Sequence, residues 1–347
     1  MSEPESVRTP FSPVAALAAV GAVGAVAAPA LRHQLHERRR RLEGARAVRD
    51  RRELVELLAE VDAALERLDG GLYGVCTVCR GAVESERLAA DPLVHVCLEC
   101  LTPEQTRALE HDLESAARVQ ASLLPPRSLR SSGWEVDYDY RPFSAVSGDY
   151  VDLILPRRPD GPLWFLFGDV SGKGVAASIL MASLHALFRS LIAADLPLPE
   201  LLRQANRLFC ESTPAAAYAT LIAGRLTPGG EVELASAGHP PPLWVRAGGV
   251  EAVPVTGLPL GLFCGAEFES ARLRLLGDEA LFLYTDGLSE AIDGGGASYP
   301  LGRLTERWRA AGAAALVREA LDDLAAFRGS TPSSDDLTVM SLRRLAS

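Results

Sequence analysis

Four short stretches of this chain each carry an aspartate where an apolar run gives way to a turn. They are Ser147-Gly148-Asp149-Tyr150-Val151-Asp152, Phe167-Gly168-Asp169-Val170-Ser171-Gly172-Lys173-Gly174, Tyr284-Thr285-Asp286-Gly287 and Asp335-Asp336-Leu337-Thr338. One acidic residue after a strand is ordinary. Four such positions, far apart in the chain, predict carboxylates gathered at one rim of a sheet. Like charges that close raise each other's pKa, so the cluster needs a cation to remain ionised. Oxygen ligands select magnesium, manganese or calcium over zinc. The chemistry this predicts is two-metal hydrolysis. The Gly168–Gly174 turn is not a P-loop: three residues, not four, separate its first glycine from the Gly-Lys pair, and glycine follows the lysine. Lys173 reads as a solvated turn residue or as electrostatic help for an anionic substrate.

A second set of residues points to a different metal. Cys76-x2-Cys79-x17-Cys97-x2-Cys100 offers two chelating turns and four thiolates. That set suits one tetrahedral zinc, and four protein ligands leave no open position, so the expected role is structural. Cys210 and Cys264 stand apart in the sequence and are expected to pack as small apolar residues.

The elements that position these residues follow from periodicity. Leu54–Leu68 repeats apolar residues at three- and four-residue steps and reads as an amphipathic helix ended by Gly70-Gly71. A second helical pattern connects 103–126, with Leu109, Leu113, Ala116, Val119 and Leu123 on one narrow stripe, closed by Pro125-Pro126. Such a stripe suits a two-stranded coiled coil between protomers or packing on the chain's own catalytic half. From 127 onward strands dominate: Trp134–Tyr140, Leu153–Leu155, Leu163–Phe167, Tyr218–Leu226, Glu231–Ser236, Leu243–Arg246, Arg272–Leu276, Ala280–Tyr284 and Leu337–Leu342. Helices are predicted over Gly174–Ala194, Leu198–Glu211 and Arg303–Phe327. Many strands with a few long helices indicate an α+β layered domain.

Two resemblances sharpen these readings. YGVCTVCRGAVESERLAADPLVHVCLECL, with Tyr73-Gly74, Arg87-Leu88 and Pro92, resembles the DksA/TraR-type zinc finger over roughly residues 50 to 102. That likeness raises an alternative function, a zinc-finger regulator of RNA polymerase with the other half as scaffold, although no second helix with acidic tip residues precedes it. AARVQASLLPP, SGDYVD, GDVSGKGVAAS, AGHPPPL, PLGL, YTDGLSEA and DDLTVM occur in the order found in the SpoIIE/RsbU-type branch of the metal-dependent PPM protein phosphatases, over about residues 115 to 343.

The second resemblance implies two stacked antiparallel sheets flanked by helices, with two Mn2+ or Mg2+ ions at one end. It implies Asp169 as the bridging ligand, the Val170 carbonyl beside it, and Asp286 and Asp335 as further ligands, with Asp336 as the fallback in that pair. Asp149 matches the acidic position that supports metal-bound waters, although Ser147 and Val151 stand where glycine and tyrosine are usual. His239, in Ala237-Gly238-His239-Pro240-Pro241, is a candidate to protonate the leaving serine oxygen, or a structural turn residue. The implied function is a protein serine/threonine phosphatase acting by attack of a metal-bridging water. Its implied substrate is an anti-sigma-factor antagonist of the STAS type in a partner-switching pathway.

Length and charge bound the rest. At 347 residues there is room for two or three domains, and 48% hydrophobic against 23% charged residues is a globular composition. The net charge of −10 argues against nucleic acid as the main partner. Residues 11–31 carry no charge, and nine arginines follow between Arg32 and Arg52. The run is long enough for a single membrane span with its N-terminus outside and the catalytic half in the cytoplasm, or for an Ala-rich leader. The expected divisions are 1–31 leader or anchor, 32–102 helix and zinc finger, 103–126 connecting helix and 127–347 phosphatase domain, with a homodimer formed through the connecting helix.

Overall fold

Alternating side chains explain why a strand such as Leu163–Val170 is apolar almost throughout. Phe165 and Phe167 belong to one buried cluster, while Trp164, Leu166 and Val170 belong to another, so the strand is covered on both faces. The computed structural model describes residues 31–32, 35–36, 38–40, 42–43, 52–156, 158, 160–214 and 217–346. The apolar run 11–31, Leu31 excepted, and part of the basic block lie outside the described residues. The chain divides into two compact units between His111 and Asp112, inside the connecting helix.

In the first unit, α1 (Arg52–Asp69) follows its amphipathic pattern: Val61, Ala64 and Leu65 are buried with Leu35 and Leu93. It stops at Gly70-Gly71, where Gly71 takes the left-handed φ of +68° that glycine tolerates. A short helix, α2 (Ser85–Ala90), lies between the two cysteine pairs. The connecting helix α3 (Pro103–Leu123) starts from a reciprocal cap: Gln105 N donates to Thr102 Oγ1 (3.2 Å) and Thr102 N donates to Gln105 Oε1 (3.0 Å). At its far end Leu123 packs on the core of the second unit, whereas Val119 is 63% exposed.

The second unit is built of two sheets. One has six strands in the order β1 (Ser128–Ser131), β2 (Trp134–Arg141), β11 (Leu337–Arg344), β10 (Ala280–Tyr284), β7 (Leu243–Arg246), β8 (Gly249–Ala252). The other runs β3 (Tyr150–Ile154), β4 (Leu163–Val170), β5 (Ala219–Leu226), β6 (Glu231–Ala237), β9 (Ser270–Arg274). Every ladder between these strands is antiparallel. Trp134, Val136, Phe165, Phe167, Leu283 and Met340 form the layer between the sheets. The outer face of the five-stranded sheet is covered by α4 (Gly174–Ile192) and α5 (Leu198–Ser212), that of the six-stranded sheet by α7 (Gly302–Ala311) and α8 (Leu316–Arg328). Each large side chain buried in these layers stabilises by about 1.5–3 kcal/mol. The sandwich of two antiparallel sheets flanked by helices is the α+β fold expected.

Three expectations need correction. The helix foreseen over Arg303–Phe327 is two helices, because Gly312 at φ +74° and a 3-10 turn at Ala313–Ala315 break it. β3 starts at Tyr150, before the predicted Leu153; its Asp152 is fully buried because Arg189 binds it through two hydrogen bonds of 2.9 and 2.8 Å. Cys210 and Cys264 are not isolated: they form a disulfide with Cα atoms 5.8 Å apart. A crosslink across 54 residues is worth about 4 kcal/mol in the chain-entropy account. Among the described residues, Gly174–Ile192 is apolar and long enough to span a bilayer; here its Ala177, Met181, Leu184 and Phe188 pack on the five-stranded sheet.

Candidate metal centre

The register of the strands brings the aspartates to one end of the sandwich. Along β4, residues 163, 165 and 167 face the other sheet, so alternation puts Asp169 on that inward face at the strand's last turn. Tyr150 pairs with Gly168, which sets Asp149 opposite Asp169 one step further out. In the other sheet Tyr284 pairs with Val339, so Asp286 just after β10 and Asp335-Asp336 just before β11 emerge at the same edge. The helix α6 (Asp286–Ser289) turns away at once.

Close backbone approaches fix this rim. A Cβ on Gly287 would sit 1.8 Å from the Asp336 carbonyl oxygen, and one on Gly148 would lie 2.8 Å from the Val170 carbonyl oxygen and 3.1 Å from Asp169 Oδ1. Glycine at 148 therefore leaves an open cradle in front of the Asp169 carboxylate and the Val170 carbonyl. Replacing Gly287 by alanine must push the Asp286 and Asp335 loops apart. Gly287→Ala is expected to weaken Mn2+ binding, measured by calorimetry, and to lower turnover by about 10²-fold, the usual cost of a 1 Å misplacement. Unchanged values would show that the two loops do not act together.

The electrostatics show what the rim lacks. Burial, then Asp286, Asp335 and Asp336, push the Asp169 carboxyl up to about 7. Burial followed by Asp335 and Glu290 raises Asp286. Asp149 is 1% exposed, and burial and then Asp169 raise it well above the ordinary carboxylate range. Its Oδ2 accepts hydrogen bonds from Thr285 Oγ1 (3.2 Å) and Thr338 Oγ1, while its buried Oδ1 has no partner. Lys173 supplies one positive charge, with Nζ 2.9 Å from Asp335 Oδ2 and donating to the Ser334 carbonyl at 2.8 Å. One half-exposed ammonium does not balance four carboxylates. The donor set is all oxygen, Asp149 Oδ1 is buried without a partner, and a Cβ at Gly148 would fill the space before Asp169 and the Val170 carbonyl, so hard divalent cations fit.

Asp335 and Asp336 separate in role. Asp336 is buried and accepts the Phe143 amide (2.6 Å) and the Gly148 amide (3.0 Å) on its two oxygens, anchoring the loop 143–148 that leads into β3. Asp335 faces Lys173 and the rim. His239, read as a candidate proton donor or a structural turn residue, is enclosed between β5 and the end of β10. It is 5% exposed, Nε2 donates to the Tyr284 carbonyl (3.1 Å), Nδ1 accepts from Thr220 Oγ1 (2.8 Å), and burial lowers its pKa to about 4. With both nitrogens engaged it stays neutral and ties β5 to the end of β10. Sequence reasoning assigned no role to Thr285, Thr338 or Gln120. Gln120 on α3 is buried and clasps Ser147 from both sides, Nε2 donating to its carbonyl (2.7 Å) and Oε1 accepting its amide (3.0 Å). The threonines lie inside the YTDG and DDLT stretches and Gln120 inside AARVQASLLPP, so in each case position within a motif was the signal.

In the first unit the sulfurs of Cys76, Cys79, Cys97 and Cys100 lie within 4.8 Å of one another, with Cys79 and Cys97 3.6 Å apart. Four thiolates at about 2.3 Å from a zinc stand roughly 3.8 Å apart. The amides of Val78 and Cys97 point at Cys76 Sγ and that of Gly81 at Cys79 Sγ, each at 3.4 Å, which suits anionic sulfur. Arg87 donates to the Val96 carbonyl (2.8 Å) and Tyr73 to the Pro92 carbonyl (3.1 Å), joining the two knuckles.

The profile of the stage II sporulation protein E (SpoIIE) family matches residues 159–345, more than half of the chain. The chain belongs to the SpoIIE family. Phosphoserine phosphatase RsbP of Bacillus subtilis is 30% identical to it over 188 residues, 52% of this chain and 46% of RsbP. Phosphoserine phosphatase RsbU of the same organism is 24% identical over 241 residues, 68% of this chain and 71% of RsbU. The solved structure of the RsbU and RsbW domains of Rv1364c from Mycobacterium tuberculosis matches 62% of this chain and 60% of its own, with a TM-score of 0.52 and 29% identity. The matched part of this SpoIIE-family chain thus spans about half the length of RsbP. All five rim aspartates but Asp149 fall inside the family match.

Proposed function

We propose that the chain is a divalent-cation-dependent protein phosphatase that hydrolyses phosphoserine or phosphothreonine. The observation that carries this reading is the convergence of Asp149, Asp169, Asp286, Asp335 and the Val170 carbonyl on one rim whose carboxylates lack a balancing charge. A pair of Mn2+ or Mg2+ ions held there would acidify a water and screen the phosphoryl oxygens for in-line attack. In this reading Asp169, the Val170 carbonyl, Asp286 and Asp335 would hold the ions, and Asp149 would orient water. Lys173, half exposed at the mouth, attracts the phosphate dianion. The P–O bond to the serine breaks as the water oxygen bonds to phosphorus, the water gives up a proton to solvent and the departing serine oxygen takes one from solvent, so no phosphoenzyme forms and no cysteine is required.

A protein substrate fits the shape of the rim. The cavity beside Asp335, the one rim aspartate in its lining, is only about 60 Å³, too small to enclose a metabolite. The larger cavities of about 210 and 510 Å³ line β7–β8 and β2–α8, away from the carboxylates. The resemblance to RsbU-type phosphatases makes a phosphorylated STAS-type anti-sigma-factor antagonist the substrate of choice. The four-cysteine cluster would hold one structural zinc, α3 would pair two copies of the chain through its exposed face, and residues 11–31, outside the described residues, would serve as a membrane anchor or an Ala-rich leader.

The test is direct. Full-length protein with Mn2+ is expected to release phosphate from a phosphorylated STAS-domain protein, to stop on addition of chelator, and to resume with excess Mn2+. Release undiminished by chelator would end the metal-dependent reading.

A further inference from the structure

Four of the six cysteines are free thiols in one cluster. The other two sit in the second unit and are joined: Cys210 near the C-terminal end of α5 and Cys264 in the segment between β8 and β9. Cys264 is exposed and Cys210 half-buried, so a dissolved thiol reaches the bond. Exposed disulfides are the ones that exchange, whereas shielded ones persist as staples.

What the bond holds is the segment 257–266, which packs on the metal-centre end of the five-stranded sheet. Leu260 exchanges two backbone hydrogen bonds with Ala219, at 2.9 and 2.8 Å. Ala219 is in turn the register partner of Val170, whose carbonyl faces the cradle. The neighbouring Tyr218 and Ser171 are also paired: Ser171 N donates to the Tyr218 carbonyl (2.9 Å) and Tyr218 N to Ser171 Oγ (3.0 Å). From the other side Asn206, fully buried one turn before Cys210, accepts from the Gly261 amide (2.9 Å) and donates to the Phe263 carbonyl (2.8 Å). The segment carries the exposed apolar side chains Leu258, Leu262 and Phe263. Once the crosslink opens, four hydrogen bonds to Ala219 and Asn206 and the buried side chains of Leu260 and Ala266 hold the segment.

We propose that Cys210–Cys264 is a reversible thiol–disulfide modification site. It takes a low-molecular-weight thiol or dithiol as reductant, and its state sets how firmly the segment 257–266 is held against the ends of β4 and β5. The exchange balances. A thiolate attacks the exposed Cys264 sulfur, the Cys210 sulfur leaves as thiolate and takes a proton, and a second thiol then displaces Cys264 from the mixed disulfide. Two electrons and two protons pass to the protein, and the reductant departs as its own disulfide. Oxidised glutathione or an oxidised dithiol drives the reverse.

The experiment uses the full-length protein equilibrated in glutathione buffers of graded ratio, followed by alkylation, peptide mapping by mass spectrometry, and amide hydrogen exchange. The expected result is that Cys210 and Cys264 convert together as one two-electron couple within that range. Reduction should speed exchange at Leu260 and Gly261 by at least about tenfold, because local opening then no longer works against the crosslink. A Cys210→Ser, Cys264→Ser double variant should exchange at the fast rate in every buffer. Two cysteines that stay linked at all ratios, that stay reduced at all ratios, or that convert without any change in exchange would each overturn the proposal. Neither readout requires turnover or bound cation, so the result is independent of whether the phosphatase reading holds.

Discussion

Asp169→Asn is expected to lower phosphatase turnover by about three orders of magnitude or more, the equivalent of roughly 4 kcal/mol or above in transition-state stabilisation. The same substitution should stabilise the protein in chelator. Burial and three neighbouring aspartates raise the Asp169 carboxyl to about 7, so the folded chain holds that proton more tightly than the unfolded one. The stability this group contributes is complete below about pH 4 and is lost as pH rises through about 7. Cation-free wild type should therefore melt at a lower temperature at pH 8 than at pH 5.5, and the asparagine variant should lose much less over that interval. Saturating Mn2+ should reverse the trend for wild type alone, adding about 2.7 kcal/mol at a hundredfold excess over Kd. A variant with wild-type turnover, or a wild type whose cation-free melting rises with pH over this window, would contradict the assignment.

The second large effect concerns the cysteine cluster. Among the described residues of 73–100 only Cys76, Val83, Pro92, Leu93 and Cys97 are buried, with Leu88, Val94 and Val96 packed around the cysteines. On the zinc proposal, a segment so poor in core would rely on the metal, whose binding would contribute on the order of 10 kcal/mol to folding. Cys97→Ser is accordingly expected to reduce bound zinc from one equivalent to near zero and to remove hydrogen-exchange protection across 73–100. The Mn2+ requirement of hydrolysis should be unaltered, since the carboxylate rim shares no ligand with this cluster. Protected amides in a zinc-free variant would show that packing alone suffices.

Much of the fold was legible because both sheets are covered on each face or alternate cleanly. Leu163–Phe167 and Ala280–Tyr284 read as strands from apolar content, and their exits into Gly-Asp and Thr-Asp turns marked the rim. What escaped was non-local. Asp152 looked like a turn residue because its partner Arg189 lies on a helix 37 positions away. The strands Ser128–Ser131 and Gly249–Ala252 are short sheet edges with little apolar content to mark them. Cys210 and Cys264 gave no spacing signal, since a disulfide is set by the tertiary approach of two segments. The candidate site was read more fully than its support. Carboxylates at strand ends advertise a cation, but Thr285 and Thr338 on Asp149, Gln120 on Ser147 and the neutral clamp of His239 need coordinates, because ordinary polar residues acquire such roles only from what faces them.

Anomalous diffraction from crystals of the Mn2+-loaded protein tests the central claim most directly. The expected map holds two manganese peaks at the rim, both within coordination distance of Asp169, with the Val170 carbonyl, Asp286 and Asp335 as further ligands. A single peak away from these side chains, or none at saturating Mn2+, would contradict the account.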